Sequence, residues 1–126
     1  MMKTYGDDLK TRSKKFAHEC VRLAVALPKN DLGIHIRRQL IRSSTSVAAN
    51  YRAASLGQTK KSFIAKLSIV IEEADESVFW IEFISDEKLV REKDLNPVLK
   101  EAKELTAIFI ASRKTAEKSG NRGFNS

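Results

Sequence analysis

At 126 residues the chain has the length of one domain, enough to bury roughly two thirds of the surface its unfolded form would expose. Apolar residues are 42% and charged residues 31%, which excludes wholesale disorder, and one Cys excludes both a disulfide framework and a Cys-based zinc site. The net charge of +7 is uneven, with 13 Lys and Arg against 4 Asp and Glu in residues 1–61, and 10 against 12 in residues 62–126.

Four helical segments follow in chain order. The first is expected over about Asp8 to Leu27, with Leu9, Phe16, Cys20, Leu23 and Leu27 on one stripe and Pro28 as its stop. The second runs from Asn30 or Asp31, both good N-caps, to Ser55. Leu32, Ile36, Leu40, Val47 and Tyr51 share its face, Gly57 ends it, and Gly33 weakens its start. The third covers Thr59 to Ile84, where Phe63, Leu67, Val70, Ile71, Ala74, Val78 and Ile81 recur at helical spacing. The fourth is expected from Asn96 as cap and Pro97 at the first helical position, with Val98, Ala102, Leu105, Phe109 and Ala116 inward. The tail 119–126, SGNRGFNS, has no periodicity and is expected to be disordered. Five Gly and two Pro are too few for a β-sandwich. Short connections at 28–30, 56–58 and 85–95 favour antiparallel neighbours. The expected fold is all-α, a single antiparallel up-down-up-down four-helix bundle over residues 1–118.

No apolar run approaches the roughly 18–20 residues that span a bilayer, and MMKTYGDDLK lacks the apolar stretch of a signal peptide. With one unpaired Cys, these features lead to the expectation of a reducing, cytoplasmic setting and no membrane partner.

The helices carry more apolar surface than one bundle needs. With the third helix centred on Leu67, Ile69, Trp80 and Phe83 point roughly away from the core and Phe79 lies on the flank. Ile34, Ile41, Val25 and Ile110 occupy similar positions on the other helices. A helix apolar on two faces implies self-association, for which Ile69, Trp80 and Phe83 are the expected interface, aromatics being the strongest anchors.

Catalytic constellations are lacking. The run Glu72-Glu73-Ala74-Asp75-Glu76 resembles a carboxylate metal site only superficially, because the residues three before His18 and His35 are Lys15 and Leu32, not Glu. No metal, cofactor, catalytic residue or small-molecule substrate is expected. Ser43, Ser44, Thr45 and Ser46 lack the Gly-x-Ser-x-Gly context of a nucleophile and suit close helix approach instead. Arg42, Ser46 and Asn50 stand at i, i+4, i+8 with Ser43 adjacent, and Glu73 and Glu76 on the next helix can meet them in a structural polar network.

The basic residues form two groups. Lys10, Arg12, Lys14, Lys15 and Arg22 decorate the first helix, and Arg37, Arg38 and Arg52 the second, followed by Lys60 and Lys61. All ten are candidates for phosphate contacts, which would be sequence-independent and salt-sensitive. The competing reading is a solvated surface that complements the acidic half of the fold or an acidic protein.

Three stretches carry a family resemblance: RSSTSVAANYRAA at 42–54, SFIAKLSIVIEEADESVFWIEFI at 62–84 and LKEAKELTAIFIASRKTA at 99–116. They resemble the bacterial four-helix-bundle family that includes proteins encoded in intervening sequences of large-subunit ribosomal RNA genes. The resemblance spans Phe16 to Ala116 and implies an antiparallel four-helix bundle. Relatives look like ring-shaped homopentamers, and a distant one is the basic accessory protein of diversity-generating retroelements. The positions carried over are Arg42, Ser43, Ser46, Asn50, Arg52, Glu73 and Glu76, none catalytic. The expected function is therefore a non-enzymatic, RNA-associated homo-oligomer. The alternative is a scaffold whose basic face meets an acidic protein partner.

Overall fold

Four α-helices dominate the computed structural model, which describes residues 5–57 and 59–119, with side chains from Asp8 onward. Helix α1 spans Tyr5–Val25, α2 Asp31–Ser55, α3 Lys60–Asp86 and α4 Glu92–Lys118, and no strand occurs among the described residues. The tail beyond Ser119 lies outside the described residues.

Local chemistry sets the boundaries. The Asn30 side chain accepts from the Gly33 N–H at 2.9 Å and so caps α2. Thr59 caps α3 in the same way, accepting from the Ser62 N–H at 3.0 Å. Helix α3 ends with Lys88 at φ 54°, where Lys88 N–H donates to Ser85 C=O and Leu89 N–H to Ile84 C=O. This is a Schellman closure built on a lysine rather than a glycine.

The fourth helix starts at Glu92, a turn before the expected Asn96. Arg91 is its cap, and the Arg91 carbonyl accepts from Asp94 and Leu95 N–H at 3.0 and 3.2 Å. Burial of Leu95 holds this extra turn against the core, and Glu92 and Asp94 suit the positive end of the helix dipole. Pro97 therefore sits in the second turn, where its missing N–H removes one i→i−4 bond.

Helix α1 packs on α2, α2 on α3 and α3 on α4, while α4 closes back on α1 along a narrower seam. Antiparallel order shows in the side-chain pairs of α3 and α4. Lys60 reaches the Glu117 carbonyl, Ser68 meets Arg113, and Glu82 meets Lys103, so positions rise along α3 as they fall along α4. Phe16, Ile36, Leu40, Leu67, Ile81, Leu105 and Phe109 fill one shared core and are fully buried. No helix among the described residues is long and apolar enough to cross a membrane.

The second apolar face differs from expectation. Trp80 and Phe83 are half-buried and lean on the core, together with Ile41. Trp80 occupies the α2-facing flank of α3, where its ring stands edge-on to His35 at 5.5 Å, and it is only partly exposed. The exposed large side chains of α3 are Phe79 at 52% and Ile69 at 40%.

Candidate nucleic-acid interface

Helical spacing places Lys10, Lys14 and His18 in one row along α1, each four residues apart. Arg52 and Thr45 face them from α2. Between the two rows lies an open groove of about 580 Å³, floored by Ala17, Val21, Ala48 and Ala49. The small residues that let α1 and α2 approach closely also leave this volume above them. No carboxylate lines it among the described residues.

The ten expected phosphate-contacting residues do not act as one set. Lys14, Lys15, Arg22, Arg38, Arg52 and Lys61 stand exposed, with no ion pair among the described residues. Lys10 is half-buried at the groove wall. Three others are committed elsewhere. Arg12 grips Glu101 through Nε and Nη2, both at 2.7 Å, and reaches Glu104 at 2.8 Å, tying α1 to α4. Those hydrogen bonds push its guanidinium pKa up, further from any loss of charge. Arg37 is half-buried beside the α1–α2 turn, where Nη2 donates to the Leu27 carbonyl at 3.4 Å. Lys60 donates to the Glu117 carbonyl at 3.1 Å. Sequence periodicity assigns a residue to a face of its own helix but is silent on which partner helix supplies an acid. The α4 carboxylates that bind Arg12 were missed for that reason.

The expected polar network is present but divided. Arg42 Nη1 meets Glu73 at 2.9 Å and Nη2 meets Glu76, joining α2 to α3. The Trp80 indole N–H donates to the same Glu76 carboxylate at 3.0 Å. Burial alone would raise the Glu76 pKa, but the hydrogen bonds from Arg42 and Trp80 and the Arg42 charge together hold it below the usual range. Ser46 and Asn50 pair locally instead, Nδ2 donating to the hydroxyl at 2.8 Å and to the Ser46 carbonyl at 3.0 Å. Ser43 is buried and shares a 2.9 Å hydrogen bond with Ser77 of α3, a partner that sequence reasoning did not name. Its only sequence signal is a small polar residue inside the α3 core stripe.

His18 and His35 are exposed, and no cluster of three or more His, Cys, Asp or Glu able to hold a metal ion occurs among the described residues. Cys20 is buried.

The sequence profile of the 23S rRNA-intervening sequence protein family matches residues 8–111. The chain belongs to that family. A solved structure similar to this family member is a protein of unknown function from the S23 ribosomal protein family of Bacteroides thetaiotaomicron VPI-5482. It superposes with a TM-score of 0.78 at 29% identity, over 85% of this chain and 99% of the other. No curated protein matches the chain. The matched segment includes the residues of the α1–α2 groove and of the Arg42–Glu73–Glu76 network.

Proposed function

We propose that this protein is a non-enzymatic homo-oligomer, cytoplasmic, that associates with RNA through the outer basic surface of α1 and α2. The observation that carries the reading is the set Lys15, Arg22 and Arg38. These side chains stand exposed, and no carboxylate of the chain binds them among the described residues. Arg12, by contrast, shows that an acid within reach is used. Unpaired cations on one side of a bundle create a field that attracts phosphates and repels like surfaces. Membership of the 23S rRNA-intervening sequence protein family supports RNA over other polyanions as the ligand. Self-association is supported by the exposed Phe79 and Ile69, which leave α3 apolar on a second face.

The test is fluorescence anisotropy of a structured RNA titrated with the protein from low to physiological salt. Binding is expected to persist at physiological salt with a steep log–log slope. Changing Arg22 and Arg38 together to Ala is expected to weaken binding to all sequences and to flatten that slope by about 1–2. Wild-type binding confined to low salt, or a variant indistinguishable from wild type, would rule this surface out.

A further inference from the structure

The groove between α1 and α2 and the outer face of α3 are opposite in charge and similar in length. The groove is rimmed by Lys10, Lys14 and Arg52, with a floor that includes Ala48 and Ala49. From Leu67 to Glu87, α3 and its cap contain seven carboxylates and no Lys or Arg. Its outward stripe offers Ile69, Glu72, Asp75 and Phe79, all exposed. Neither Glu72 nor Asp75 has an ion-pair partner among the described residues. The lengths also agree. Lys10 to His18 covers about 12 Å of helix and Ile69 to Phe79 about 15 Å, at roughly 1.5 Å per residue.

We propose that the outer stripe of α3 from one copy docks in the α1–α2 groove of a second copy, Phe79 filling the space above the alanines and Glu72 and Asp75 meeting Lys14 and Arg52. This rests on the self-association reading above and specifies its geometry. The alternative symmetric pairings are electrostatically unfavourable. Two α3 stripes face to face would oppose carboxylates with carboxylates, and two grooves would oppose cations with cations. Only the unlike faces attract, so the contact is heterologous. Each copy then has one used groove and one used stripe, so copies add head to tail, closing as a ring where the rotation between neighbours permits and extending as a filament where it does not. The groove cations are then consumed in assembly, which leaves Lys15, Arg22 and Arg38 to meet RNA.

The test measures mass by light scattering on nuclease-treated full-length protein. Two single-face variants are compared, Lys14→Glu with Arg52→Glu in the groove and Glu72→Lys with Asp75→Lys on the stripe. A fourth chain carries all four changes. Wild type is expected well above the 14.2 kDa of one chain. Each single-face variant is expected to fall to one-chain mass with an unchanged helical circular dichroism spectrum, and the four-change chain to recover the wild-type mass. A monomeric wild type would overturn both this docking and the self-association it rests on. An oligomeric wild type whose groove variant keeps full mass would overturn the docking alone. So would a four-change chain that is folded yet monomeric.

Discussion

Cys20 shows how one buried side chain ties the core to pH. Its sulfur is fully enclosed, and burial pushes the thiol pKa well above its ordinary value, the Glu19 charge adding to the shift while a hydrogen bond with Ser44 opposes it. The native state therefore keeps a proton that the unfolded thiol releases above about pH 8.5. A raised native pKa contributes stability that is complete below that pH and is lost as pH rises toward the native value. Urea unfolding of wild type and Cys20→Ala from pH 7 to 10 isolates the effect. The stability difference between them is expected to be constant up to about pH 8.5 and then to shrink by at most about 1.4 kcal/mol per pH unit. A difference that ignores pH across the range would contradict this. Gly33 makes a complementary point about legibility. In the sequence it only weakens a helix start, but a Cβ there would lie 1.8 Å from the Pro28 carbonyl oxygen, so the tight α1–α2 turn requires its absence. That demand comes from a neighbouring backbone, which no periodicity encodes.

Element boundaries were legible where a side chain caps its own helix. Asn30 and Thr59 cap α2 and α3 through bonds three residues long, a range that sequence spacing reports directly. The start of α4 was not legible, because Pro97 also suits a first-turn position and the deciding contact is the burial of Leu95 against distant helices. The same limit applies to the flank of α3. A helical wheel places Trp80 away from Leu67, while its packing against the core and against His35 of α2 leaves it half-buried. The end of α3 yields a prediction of its own. Lys88 holds a left-handed conformation at the position where Schellman closures usually place Gly, at a cost of about 1 kcal/mol for a residue with a Cβ. Lys88 is exposed and makes no ion pair among the described residues, so no side-chain ion pair offsets that cost. Lys88→Gly is expected to raise stability by about 0.5–1 kcal/mol in chemical denaturation, less than the full strain because Gly also gains freedom in the unfolded chain. A neutral or negative change would show that Leu89 packing, not backbone strain, governs this turn.

At the scale of the whole molecule, the uneven charge of the sequence becomes a division of labour among faces. The basic front half forms the α1–α2 layer, and the carboxylate-rich α3 stands on the other side of the α2–α3 contact. Both halves were legible as composition, but the groove was not, since it arises only when alanines on two helices meet. The four helix contacts are also unequal. The α1–α4 seam is the narrowest, and it is bridged by the ion pairs of Arg12 with Glu101 and Glu104. Helices α1 and α4 therefore each have one broad neighbour, whereas α2 and α3 each have two. Opening along the narrow seam exposes less apolar surface than separating α2 from α3, so it requires less free energy. Native-state hydrogen exchange is expected to show the slowest amides in the central turns of α2 and α3, with α1 and α4 exchanging through smaller, sub-global openings. Arg12→Ala is expected to speed exchange in α1 and α4 while lowering global stability by less than about 1 kcal/mol, because a half-exposed ion pair contributes little overall. Uniform protection across all four helices, unchanged by Arg12→Ala, would mean that the bundle opens only as a single cooperative unit.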